Sequence, residues 1–249
     1  MLNEVESTNN DKEIDGAMEY AEDRIDRRKS RVNLIIGILV FGSIWGFLEA
    51  TLGGFLHLII FPNKGAIMGG IGVAVMASAL AFYKNPSILP GIGVIAASFK
   101  LLDIWLFALP IASIHIINPA MSIIFESLAF SLLAAFVMKR IAKNVLIGIG
   151  AGALAGLISA TAWVYFAIYV MNTPAYARVV FTAGGFIANQ GVIQAAFFSI
   201  FLPLGYLLGE RIATKTSLVL PSKTLYYATS VTIICLCWGI SALVKIAGL

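Results

Sequence analysis

The chain has 249 residues, 59% of them apolar and 12% charged, with a mean hydropathy of +0.92. These values exclude an ordinary soluble domain and predict an all-α, polytopic integral membrane bundle. The net charge of +4 reflects cytoplasmic anchoring; no basic patch with interleaved aromatics points to nucleic acid.

Residues 1–31 form a charged segment that holds nine of the thirteen carboxylates. They lack the apolar core and cleavage site of a signal peptide and are expected to stay in the mature protein. Ile14, Met18, Ala21 and Ile25 recur at helical spacing ahead of a run of arginines and lysine, which suits either a helix lying on an anionic leaflet or a solvated tail. Residues 32–249 form the transmembrane domain, with apolar segments at approximately 32–61, 65–83, 88–109, 118–138, 144–171, 184–209 and 225–247. Proline, asparagine and lysine clusters mark the connections. A cytoplasmic amino terminus puts twelve lysines and arginines near the segment ends inside and leaves Lys64, Arg178 and Lys245 outside, so the chain is expected to run N-in, C-out through the cell membrane. Cys235 and Cys237 point roughly 200° apart on one helix and form no disulfide framework or zinc motif. No metal and no cofactor are expected. The first and fifth segments share a spaced Gly-x-x-x-Gly-x-x-x-Ala-Thr pattern, Gly42–Thr51 and Gly152–Thr161, which suits either a parallel duplication or chance.

The polar residues inside these segments carry the functional signal, because charges at bilayer depth are expensive and face a bundle interior or a wet cavity. In the first segment a helix puts Gly42, Gly46, Glu49 and Gly53 on one face, with His57 about 60° away. A rise of about 1.5 Å per residue sets Glu49 roughly 27 Å beyond Arg31, in the outer half of the bilayer. Lys100 and Asp103 of the third segment occupy the middle to outer region. They are one turn apart and can neutralise each other, or Lys100 can pair with Glu49 or Glu126. In the fourth segment Asn118, Ser122 and Glu126 form a stripe, and Asn189, Gln190 and Gln194 form another in the sixth. Polar groups of four segments therefore converge on the outer leaflet, with Trp45 and Trp105 as candidate aromatic walls beside Trp163, Tyr165 and Tyr169. His115 lies near the outer interface, like His57. The inner half carries small-residue ridges instead, chiefly Gly148, Gly152, Gly156 and Ala160, which either hold the bundle together or dock another membrane protein.

An outer-half pocket in a small bundle without a nucleotide motif resembles the substrate-binding S components of energy-coupling-factor transporters. The local likeness lies in the Pro-Asn-Lys-Gly-x-x-Met-Gly-Gly junction at Pro62–Gly70 and the glycine/alanine ridge at Gly148–Ala160. The resemblance implies capture of a small solute, vitamin-like or cationic and aromatic, and docking on a transmembrane coupling subunit bound to two ATPases. A seventh segment and the charged amino-terminal extension depart from that pattern. The chain begins Met1-Leu2-Asn3, without the near-terminal histidine of the cobalt/nickel branch, which disfavours metal uptake. Two other classes stay open: an ion-coupled secondary transporter or channel with a carboxylate relay, and a membrane enzyme or structural subunit. The absence of His-Glu-x-x-His and Asp-Asp-x-x-Asp motifs argues against an enzyme.

Overall fold

The computed structural model describes residues 31–56, 59, 61–107, 110–111, 113–171, 182–219 and 222–247, without the side chains of 105–107, 115 and 216–219. The chain divides into two units, Met1–Ile36 and Gly37–Leu249. In the first unit, residues 31–36 begin a helix, and the predicted interfacial stretch lies outside the described residues. The second unit holds the bundle. Among the described residues seven helices are long and apolar enough to cross a membrane, and no strand occurs.

The first is α1, Arg31–Leu56. The second, α2, is Lys64–Tyr83. The third crossing is broken: a 3₁₀ turn at Pro86–Ile88 leads into α3, Leu89–Ser98, and a second turn at Phe99–Leu101 leads into α4, Leu102–Phe107. The fourth and fifth crossings are α5, Ile114–Ile141, and α6, Val145–Tyr169. The sixth begins with α7, Ala183–Phe186, widens into a π turn at Ile187–Gly191 and continues as α8, Val192–Val219. The seventh is α9, Lys223–Ile246.

Local chemistry sets the boundaries. Asn144 caps α6 by accepting the Leu146 N–H at 2.9 Å, and Ser222 caps α9 by accepting that of Leu225 at 3.2 Å. Two helices exceed their predicted limits. α5 starts at Ile114 rather than at Asn118, so Pro119 lies inside it in the second turn, at the cost of one intrahelical bond. α8 runs on past Gly209 through Glu210-Arg211-Ile212-Ala213, good helix formers, and Glu210 is held by Lys84 at 3.3 Å.

Glycines let the helices meet backbone to backbone, the packing mode that serves where lipid removes the hydrophobic drive between helices. On α8, Gly205 and Gly209 lie against the backbones of Ala74 and Ser78 of α2, so any Cβ there would collide. Ser78 Oγ then donates to the Gly205 carbonyl at 2.7 Å, fastening the seam. Gly42 packs on Ile95 of α3 and Gly46 on Phe99. Trp45, Phe99, Phe130 and Phe198 are fully buried, whereas Leu132, Phe136, Leu146, Leu204 and Val231 point outward as a lipid-facing surface.

The predicted docking ridge is corrected by this packing. Gly152 lies against the Phe198 carbonyl, and a Cβ on Gly156 would come within 2.7 Å of Ala195 Cα. Gly148 also faces α8, with Leu202 and Pro203 beside it, and Ala160 is buried. The glycines of the ridge are therefore filled by α8 of the same chain, the bundle-holding alternative, while Ala160 lies beside Gly191 and lines a cavity at one end of the bundle.

Candidate solute-binding site

At the end of the bundle where α2 and α5 begin and α9 finishes, the crossings leave a cavity of about 820 Å³. That size suits a small organic ligand. It passes from exposed Gly65 and Ile114 at the mouth to buried Ile123 and Glu126 at the floor. Eight residues singled out by depth line it: Glu49, Lys100, Asp103, Asn118, Ser122, Glu126, Gln190 and Gln194.

α1 supplies Glu49 one helical turn beyond the glycines that press it against α3. Gly42 and Gly46 thus belong to the packing layer, while Glu49 and Gly53 turn to the cavity. The third crossing answers with Lys100, whose ammonium lies 3.7 Å from Glu49 Oε2, the two side chains being only 14% and 12% exposed. The 3₁₀ turn at Phe99–Leu101 brings residues three apart onto one line, so Lys100 and Asp103 both reach the cavity. They do not neutralise each other. Asp103 is instead paired with Lys245 in the last turn of α9, a residue that reads in sequence as an outside flank. Both pairs therefore cross between helices.

Glu126 of α5 forms the floor and is 4% exposed. Ser122 Oγ donates to its Oε1 at 3.2 Å and Gln194 Nε2 to the same oxygen at 3.1 Å. Gln194 also donates to Ser159 Oγ at 3.2 Å, tying α5, α6 and α8 together. Phe186, Gln190 and Gln194, four residues apart along the sixth crossing and spanning its π turn, all reach the cavity. Asn189, predicted to share that stripe, is exposed and outside the lining, with its carbonyl accepting from Gln190 at 3.4 Å.

The aromatic wall is Trp163 of α6, stacked on Phe186 with ring centroids 5.2 Å apart. Its indole N–H donates to Asn118 Oδ1 at 2.9 Å, fixing the ring. Trp45 is a correction: it is fully buried between helices, its indole fitted against Gly72 of α2, and it does not line the cavity. Tyr165 and Tyr169 stack on each other at 6.0 Å and are exposed, away from the lining. His57 and the side chains of Trp105 and His115 lie outside the described residues.

Sequence reasoning missed Lys64, Lys245, Phe186 and the bridging Ser159. Lys64 and Lys245 were visible as terminal lysines of the second and seventh segments, but a lysine at a helix end is an ordinary interfacial anchor. No family model, curated protein or solved structure matches the chain.

Proposed function

We propose that this membrane protein is a transport protein that captures a small organic solute in the cavity floored by Glu126, from the side that the distribution of basic residues assigns to the exterior. The observation that carries the reading is the convergence of all seven crossings on a cavity of about 820 Å³ with a buried carboxyl group at its base. A carboxyl group at this depth carries a desolvation cost, which makes it a functional candidate by default. Two fully interhelical ion pairs and a fixed indole give the walls a defined shape, the preorganisation that binding requires.

In this proposal the protein works as the substrate-binding subunit of a larger transporter of the energy-coupling-factor type and performs no chemistry on the solute. The position of the cavity at one end of the bundle and the absence of a nucleotide motif support that role. The ridge at Gly152 and Gly156 is covered by α8, so a coupling subunit would meet another face. Native mass spectrometry of the purified protein tests the capture step: a small molecule should be carried by the wild type and absent from Glu126→Ala of equal monodispersity. A Glu126→Ala protein that carries the same molecule at the same occupancy overturns it. Copurification of a coupling subunit with its ATPases tests the subunit role, and uptake by the chain alone overturns that part.

A further inference from the structure

We propose that the solute pairs a cationic nitrogen with Glu126 and lays a flat ring against Trp163; this rests on the reading of the cavity as a solute site. Three carboxylates line the cavity, and two are matched: Glu49 by Lys100 and Asp103 by Lys245. Glu126 makes no ion pair among the described residues, although it is the most deeply buried of the three. Its two donors, Ser122 and Gln194, converge on Oε1, and neither reaches Oε2. The second oxygen is thus left for whatever occupies the cavity.

Charge decides which ligand that is. A buried carboxylate gains most from a cation that shares its low-dielectric surroundings, and neutral donors replace only part of the lost hydration. An anionic solute finds the opposite conditions, since Lys100 and Lys245 are already engaged by carboxylates and Lys64 sits half-buried at the mouth, where water screens it. Asn118, which holds the Trp163 indole, is two helical turns from Glu126 on α5, about 12 Å along the axis. Trp163 is one helical turn from Ser159 on α6, and Gln194 links Ser159 to Glu126, so a ring stacked on Trp163 places an amine on a short chain toward Glu126.

The test uses three indoles with side chains of similar length and different charge: tryptamine, a cation; tryptophol, neutral; and indole-3-acetate, an anion. Calorimetric titration of the full-length protein in detergent should give tryptamine a Kd at least tenfold below that of tryptophol, with indole-3-acetate weakest. Glu126→Gln, which keeps size and hydrogen-bonding capacity, should reduce that preference below threefold while tryptophol binding persists. Trp163→Leu should weaken tryptamine and tryptophol together and leave their ratio unchanged. Equal or tighter binding of tryptophol or indole-3-acetate to the wild type overturns the proposal, as does a tenfold preference that survives in Glu126→Gln. The wild-type ratio decides even if the variant fails to fold. Absence of binding by all three also overturns the proposed ligand class, while a copurifying solute of another charge would leave the capture reading standing.

Discussion

The carboxylate of Glu126 on α5 rests over the backbone of Gly69 on α2, where a Cβ would stand 2.7 Å from Oε1 and 2.9 Å from the Phe198 ring. Glycine at 69 is therefore what gives the acid its place at the cavity floor. Gly69→Ala should displace Glu126 or spread α2 from α5, costing about 1–3 kcal/mol of stability, with loss of the ligand-dependent rise in Tm. Gly53→Ala is the contrast, because its Cβ would meet Glu49 Oε2 at an ordinary 3.5 Å. Thermal unfolding of both variants with and without solute checks the pair; equal behaviour would mean that Gly69 does not seat the acid.

The Glu49–Lys100 pair should respond as a unit. Removing one partner, as in Lys100→Met, strands a charge among helices and is expected to cost on the order of 3 kcal/mol. The double variant Glu49→Leu/Lys100→Met should recover most of that loss, since two apolar side chains of similar size avoid the desolvation penalty. A double-mutant cycle read from thermal unfolding makes the check. Additive losses would show that the two groups act independently.

The legible part of the site is its polar inventory, because lipid makes each carboxylate, lysine and amide at depth conspicuous and the helical rise converts position into depth. Glu49, Asn118, Ser122, Glu126 and Gln194 lie at one end of the bundle for that reason. Pairing was not legible. Whether Lys100 meets Asp103 or Glu49 depends on which helices are neighbours and on a 3₁₀ turn at Phe99–Leu101 that no periodicity announces. Trp45 was misassigned because an aromatic side chain suits a cavity wall and a glycine notch equally well, and Gly72 lies on another helix. The Gly152–Gly156 ridge was ambiguous for the same reason, since a small-residue face records close approach without naming the partner.

At the opposite end of the bundle, Lys84 closes α2 in the left-handed region at φ 53°. Its ammonium donates to the Tyr206 hydroxyl at 3.0 Å and to Glu210 Oε1 at 3.3 Å. Burial pushes the Lys84 pKa down, but the Tyr206 and Glu210 contacts outweigh it and raise the pKa above its ordinary 10.5. A raised pKa gives stability that is fully present below the unfolded value and lost as pH climbs through the folded one. The stability difference between wild type and Lys84→Met should thus be flat from neutral pH to about 10 and shrink above it. Both residues carry the same backbone strain, so the difference isolates the charge; it should be small because Lys84 is half exposed. Chemical unfolding at a series of pH values reads it, and a gap that widens above pH 10 contradicts the assignment.

α6 presents glycines to two different surroundings. Gly156 lies against α8, where a Cβ would meet Ala195 Cα at 2.7 Å and Ala195 N at 2.8 Å, whereas Gly150 has nothing within 4 Å. Backbone cannot retreat as a side-chain tip does, so Gly156→Leu must push α8 away. The residue before Ala195 is Gln194, the donor shared by Glu126 and Ser159, and the displacement would pull it off the cavity floor. Gly156→Leu should therefore lose solute binding together with more than about 3 kcal/mol of stability, at the upper end of overpacking costs. Gly150→Leu, on the open side of the same helix, should leave the unfolding temperature and solute binding within error of wild type. Measuring both variants by thermal unfolding and calorimetry separates a local effect on α6 from one transmitted through α8, and equal losses would place the α6–α8 contact elsewhere.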